Sequence, residues 1–171
     1  INPEYEFRQS RGEWLGSIPP QIHCLYDQRR HYFIPRGFLY QLLDLCQNFN
    51  VKYRLIDRQR QLEPVEFQFH GVLKDYQELA YEEMATRDLG TLVGGAKSGK
   101  TVIALYLIAQ RQQPTMIIVP NVALLGHWKE KLVRFLKVPP KEVGIRGEGT
   151  YEVGPRVSVA HVSALYRRAR E

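Results

Sequence analysis

Apolar and polar positions along the chain change rhythm several times, and each rhythm predicts an element. Residues 1–20 are mostly polar, carry Trp14 and end in Pro19-Pro20; they predict irregular structure tied down by aromatic side chains. Residues 21–26 alternate as a strand does, residues 27–30 read as a turn, and residues 31–34 return as a second strand. Pro35, Arg36 and Gly37 break that run. Phe38, Leu42, Leu45 and Phe49, with Leu39, Leu43 and Cys46, then recur at helical spacing. Residues 51–56 alternate again as a strand. A small β-β-α-β unit over residues 18–57 is the result, followed by a polar linker over residues 57–64.

The second part of the chain has longer apolar runs. Residues 65–69 form a short alternating strand or an extended arm, and residues 73–87 predict a helix. Residues 90–93 predict a strand, residues 102–109 with a polar tail to 113 predict a helix, and Pro114 stops it. Residues 115–119 are a buried type of strand ended by Pro120. Asn121 is a good N-cap for a helix over residues 122–136. Residues 142–146 and 157–160 predict two further strands, separated by glycine turns, and a helix runs from there through residue 165. Strands alternating with helices imply an α/β fold with a mostly parallel sheet. The expected domains are residues 1–62 and 63–171.

Between the strand at 90–93 and the helix that follows lies G-G-A-K-S-G-K-T, residues 94–101. It fits G-x-x-x-x-G-K-[ST], the phosphate-binding loop of P-loop NTPases. Backbone N–H groups of a glycine-rich turn must point at phosphate oxygens, and side chains would block that approach. Gly94, Gly95, Ala96, Lys97, Ser98, Gly99, Lys100 and Thr101 are therefore the expected nucleotide-binding residues. Lys100 and Thr101 are the catalytic candidates: the ammonium reaches the terminal phosphates, and the hydroxyl helps hold Mg²⁺. ATP and Mg²⁺ are the expected cofactors. Lys97 either adds positive field at the phosphates or points to solvent.

Composition narrows this further. The 171 residues are 44% hydrophobic and 25% charged, enough apolar content for a real core and against wholesale disorder. Net charge is +6, and residues 71–171 hold most of it, with 15 basic against 10 acidic side chains. That balance suits a phosphate-rich partner. Two cysteines, Cys24 and Cys46, make neither a disulfide framework nor a zinc set. No apolar run reaches membrane-spanning length. The chain begins at Ile1 without a Met, and a fragment of a longer protein is expected.

Several runs resemble one family. L-K-D-Y-Q at residues 73–77 looks like the L-R-x-Y-Q signature of superfamily-two helicases. I-I-V-P-N-V-A-L-L-G-H-W at 117–128 looks like their motif Ia. I-R-G-E-G at 145–149, followed by V-S-V-A-H-V-S-A-L at 157–165, is similar to the T-Y-x-S-L element of the XPB-like branch, which includes phage helicases of the UvsW type. The resemblance covers residues 66–171. It implies a RecA-like first motor domain of an ATP-dependent DNA helicase or translocase, preceded by an accessory module that engages DNA. It also implies a cytoplasmic, nucleoid-associated protein of a bacterium or a phage-infected cell.

Residue by residue, the resemblance makes Gln77 the adenine-sensing glutamine. It makes Asn121 and Ser163 contacts to the nucleic-acid backbone, where each has a helix-capping alternative. Trp128 lies in the same segment and reads as core. His127 replaces the usual Gln, and Ala160-His161 replace Thr-Tyr. Arg29, Arg30 and Arg36 near the hairpin of the first unit either touch DNA phosphates or form a solvated turn. The Asp-Glu box and a second motor domain with its arginine finger are expected beyond residue 171. The fragment alone should bind ATP weakly and hydrolyse it negligibly. Alternatives are a DNA-docking module with a regulatory nucleotide-binding part, or the motor subunit of a restriction enzyme. A P-loop kinase would leave residues 73–77 and 117–128 unexplained.

Overall fold

A computed structural model describes residues 1–28, 31–59, 61–147 and 149–168. The chain divides into two compact units, residues 1–57 and 58–171.

The first unit opens with a helix where irregular structure was expected. Helix α1 (Pro3–Ser10) starts at Asn2, whose side chain accepts a hydrogen bond from the Glu4 N–H, with Pro3 at the first helical position. This is a strong start signal, since Asn caps an orphan donor and Pro lacks the N–H that would be orphaned. Asn2 also donates from its side chain to Pro19 O at 2.8 Å and from its backbone to Pro20 O at 3.0 Å. The buried amide of Asn2 thus folds the segment back on itself, while Trp14 is 85% exposed and ties nothing down.

The hairpin is shifted from its expected position. Strand β1 (Tyr26–Gln28) pairs antiparallel with β2 (His31–Phe33), with Tyr26 opposite Phe33 and Gln28 opposite His31. Residues 21–25 form no strand, because β2 offers only three residues to pair with. A 3-10 turn (Arg36–Phe38) leads into α2 (Leu39–Asn48), close to the predicted helix. The strand expected at 51–56 does not form. A strand needs a neighbour to satisfy its backbone, and β1 and β2 pair only with each other. No apolar side chain of this unit is fully buried among the described residues; Leu45 is 43% and Phe49 75% exposed.

The second unit is a layered α/β structure. Its elements are α3 (Asp75–Ala85), α4 (Lys100–Arg111), β3 (Thr115–Val119), α5 (Ala123–Leu136), β4 (Val143–Gly147), β5 (Thr150–Tyr151), β6 (Val157–His161) and α6 (Val162–Arg168). The sheet order is β3-β6-β4-β5. β6 runs parallel to both neighbours, with Ile117 and Ile145 flanking Val159; only β5 is antiparallel. Alternate strand residues Val119, Val157, Val159 and Val143 meet Leu105 and Ala109 of α4 and Leu125, Leu132 and Leu136 of α5 in one core. Burying each such Leu or Val is worth roughly 1.5–3 kcal/mol against the unfolded chain. The 90–93 segment forms no strand, and Val93 is 88% exposed. No described strand pairs with it, so its backbone gains nothing from full extension.

Residues 65–69 take the arm form of their two predicted alternatives. Gln112 ends α4 in the left-handed region (φ +50°). Its backbone carbonyl accepts from Val65 N–H at 2.9 Å. Its side-chain amide accepts from Phe67 N–H at 3.0 Å and donates to Phe67 O at 2.7 Å. The amide thus pairs with Phe67 as a neighbouring strand would. Phe67 is buried, and Phe69 stacks on Phe135 (5.8 Å) and meets Tyr106 edge-on (5.1 Å). Glycine usually stabilises a left-handed helix end by about 1 kcal/mol. Here Gln112→Gly should instead destabilise by about 1–2 kcal/mol net, because the Phe67 pairing is lost. A denaturant melt checks this; a more stable glycine variant would show that the amide is only a cap.

Candidate phosphate-binding site

The residues before α4 form a tight turn rather than a strand-to-helix bend of ordinary shape. Ser98 N–H reaches back to Gly95 O at 3.3 Å, and Val102 and Ile103 N–H both reach Gly99 O, at 2.8 and 3.1 Å. The helix therefore starts directly after Gly99, which lies at φ +82°. A side chain at Gly99 would place its Cβ 2.2 Å from Gln77 Nε2, and one at Gly94 would meet Ser98 Oγ at 2.8 Å. Gly99 is thus required by both its backbone conformation and its neighbour, whereas a side chain at Gly94 would need only the Ser98 hydroxyl to turn aside. The loop has the form of a cradle with a helix N-terminus at its base, which suits phosphate.

Two side chains of the Y-Q pair in α3 hold this loop. Tyr76 Oη donates to Ser98 O at 3.1 Å, and Gln77 Nε2 donates to the same oxygen at 3.0 Å. A trans peptide points its carbonyl and the following N–H in opposite directions. Pinning Ser98 O toward α3 therefore turns the Gly99 N–H away from α3. Gln77 is buried (5% exposed), and its Oε1 accepts from Lys74 N–H at 3.1 Å. One N–H and one lone pair of the amide are left for another partner. Tyr76 was not singled out from sequence; its place in L-K-D-Y-Q, beside Gln77, was the available signal.

Lys100 Nζ donates to Gly94 O at 2.9 Å and Gly95 O at 2.8 Å, so the ammonium stands inside the turn. Thr101 is the second residue of α4 and is half-buried. Lys97 lies at φ +62° with an exposed side chain. No cluster of three or more His, Cys, Asp or Glu suited to a metal occurs among the described residues.

The nucleic-acid candidates divide by location. Asn121 and Ser163 come together at the carboxyl edge of the sheet, where β3 and β6 end in register at Val119 and His161. Asn121 Oδ1 accepts from Leu124 N–H at 3.2 Å, so it caps α5. Ser163 Oγ lies 2.6 Å from His161 Nδ1. Trp128 packs against the core, and His127 is exposed. Arg36 is exposed in the first unit, and Arg29 and Arg30 lie outside the described residues. Among the described residues no helix is long and apolar enough to cross a membrane.

No family model matches the chain. Curated proteins do. The DNA 3'-5' translocase XPB2 of Sulfurisphaera tokodaii is 32% identical over 99 residues, which is 58% of this chain and 22% of that protein. Helicase D10 of Escherichia phage T5 is 30% identical over 129 residues, 74% of this chain and 27% of that protein. The DNA 3'-5' helicase XPB of Mycobacterium tuberculosis is 28% identical over 98 residues, 57% of this chain and 18% of that protein. The matches thus span less than a third of the length of these relatives. Among solved structures, the UvsW helicase of bacteriophage T4 shares the fold, with a TM-score of 0.63 and 18% identity over 98% of this chain and 66% of that one. The chain is accordingly homologous to XPB-type and phage helicases, and its parallel-dominated sheet resembles the RecA-like domain of UvsW.

Proposed function

We propose that this chain is the N-terminal part of an ATP-dependent DNA helicase or translocase, with the nucleotide held in the second unit. The observation that supports this best is the loop at 94–101, in which Gly99 takes a left-handed conformation against Gln77 and the Ser98 carbonyl is pinned toward α3 by Tyr76 and Gln77. ATP with Mg²⁺, when bound, supplies the phosphoryl group whose transfer drives such motors. Lys100 exchanges two bonds to neutral carbonyls for bonds to phosphate, in which the acceptor too is charged. Thr101 offers its hydroxyl to Mg²⁺. Gln77 holds the loop and offers its remaining N–H and lone pair to the adenine edge.

Asn121 and Ser163 are the proposed DNA contacts of the second unit, and Arg29, Arg30 and Arg36 are separate proposed phosphate contacts of the first. DNA as the partner is supported by the relatives named for DNA helicase and translocase activity. The setting would be the cytoplasm, on the nucleoid. A second motor domain completes the parent enzyme. These 171 residues alone turn over ATP negligibly, because the sequence contains no Asp-Glu dipeptide to hold metal and activate water.

The test is a thermal melt with and without Mg·ATP, paired with anisotropy of labelled single-stranded and duplex DNA over a salt series. Expected are a nucleotide-induced rise in melting temperature, DNA affinity that falls steeply with salt, and no significant hydrolysis. Loss of the nucleotide effect, or vigorous DNA-stimulated hydrolysis by this chain alone, counts against the proposal. One observation favours a second reading, a DNA-docking first unit beside a regulatory nucleotide site: Tyr26 and Tyr32 are 66% and 68% exposed in the hairpin that precedes Arg36. Arg36→Glu would then abolish DNA binding, while nucleotide would leave that binding unchanged.

A further inference from the structure

His161 closes β6 and stands where the family pattern has an aromatic hydroxyl. Its Nε2 lies 3.1 Å from the Pro120 carbonyl oxygen, and its Nδ1 lies 2.6 Å from Ser163 Oγ. A carbonyl oxygen has no proton to give, so the proton in the first contact belongs to Nε2. In the neutral ring Nδ1 then carries none and must accept from the Ser163 hydroxyl. That consumes the only proton Ser163 has. The serine presents nothing but lone pairs outward, and a phosphate oxygen, itself an acceptor, is turned away. Protonating the ring reverses the second bond. Nδ1–H now donates to Oγ, the hydroxyl proton is released to point outward, and the ring adds a positive charge.

We infer that His161 and Ser163 form one phosphodiester-binding unit, in which proton uptake by the imidazole converts Ser163 from an acceptor into a donor toward the DNA backbone. This rests on the DNA-binding reading above and names the contact within it that responds to pH. The elements packed against β6 carry Arg146 on β4, which is in register with Ala160 and so lies on the opposite sheet face from His161, then His127, Lys129, Glu130, Lys131 and Arg134 on α5, and Tyr166 on α6. β3 brings only the neutral Pro120 and Asn121 beyond its end. Glu130 forms an ion pair with Lys131 at 3.3 Å. Glu148, after β4, lies outside the described residues. The formal charge on these described residues is thus basic on balance. A phosphodiester arriving at this edge supplies the anion that favours the imidazolium.

The proton balance is simple. One proton enters from solvent with each phosphate bound, and no covalent bond changes. By linkage, affinity strengthens as pH falls, by up to about tenfold per unit for one proton. Anisotropy with a labelled single-stranded oligonucleotide, at fixed ionic strength between pH 8 and 6, reads this on the full chain. Calorimetry in two buffers of different ionisation enthalpy counts the proton. His161→Gln should bind DNA with a flat pH profile and no proton uptake, whereas His127→Gln should keep both. Ser163→Ala should weaken binding at low pH and leave it nearly unchanged at high pH. Nitrogen chemical shifts of the free protein should show the Nε2–H tautomer when neutral. A flat wild-type profile, a pH dependence that survives in His161→Gln, or an Nδ1–H tautomer overturns the inference while leaving DNA binding intact. Failure to bind DNA at any pH overturns the functional reading and this inference with it.

Discussion

Lys100→Ala should abolish nucleotide-induced stabilisation of this protein while leaving its intrinsic melting temperature almost unchanged. The ammonium is exposed, and its two bonds go to Gly94 and Gly95 carbonyls that water can satisfy in its absence. The loss of fold stability is therefore about 1 kcal/mol or less. The loss in binding is larger. Bound phosphate would be met by a charge-assisted donor, and removing one typically costs about 1.5–3 kcal/mol, or roughly ten- to a hundredfold in affinity. Stabilisation by ligand follows RT ln(1 + [L]/Kd), so a tenfold excess over Kd gives about 1.4 kcal/mol in the wild type and nearly nothing in a variant weakened a hundredfold. Mg·ATP melts of the two proteins side by side decide it. An undiminished shift in Lys100→Ala would mean that nucleotide binds elsewhere or not at the loop.

Gly99→Ala should damage the fold itself, by about 2–4 kcal/mol. Alanine at φ +82° costs about 1–2 kcal/mol in backbone strain. Its Cβ would stand 2.2 Å from Gln77 Nε2, so the buried amide has to leave. That breaks the bond to Ser98 O and the one from Lys74 N–H, and a buried polar group left unpaired costs about 1–3 kcal/mol. The melting temperature should fall by roughly 10 °C. A double-mutant cycle isolates the cause. In a Gln77→Ala background there is room for the new Cβ, so Gly99→Ala should cost at least about 1 kcal/mol less than in the wild type. Strict additivity would mean that Gln77 does not set the loop's shape.

The two variants separate what the loop does from what holds it. In the proposed reading Lys100 acts on the ligand, while Gly99 with Gln77 and Tyr76 gives the turn its form. The resemblance assigns Gln77 to adenine. The structure uses both ends of its amide for the protein first, and only the leftover valence is free for a base. The same division recurs at the sheet edge. Asn121 spends its side-chain oxygen on the α5 cap, and Ser163 is tied to His161.

Much of this was determined by the sequence alone. Residues 94–101 carry the nucleotide motif in contiguous positions, and α4, β3, α5 and β6 follow from apolar runs bounded by Pro114, Pro120 and Asn121. Such features are local: periodicity, caps and breakers act within a few residues of one another. The Asn2-Pro3 start of α1 was legible too, but eight residues of weak amphipathicity hid it. What only the tertiary structure decided involves partners distant along the chain. Alternation at 51–56 and a short apolar run at 90–93 look like strand, yet a strand exists only where another backbone pairs with it, and pairing cannot be read from one segment. Gln112 gripping Phe67 spans 45 residues, Gln77 and Tyr76 gripping Ser98 span 21 and 22, and His161 reaching Pro120 spans 41. Each is a hydrogen bond whose geometry depends on how helices and strands are packed, and no spacing along the sequence encodes it.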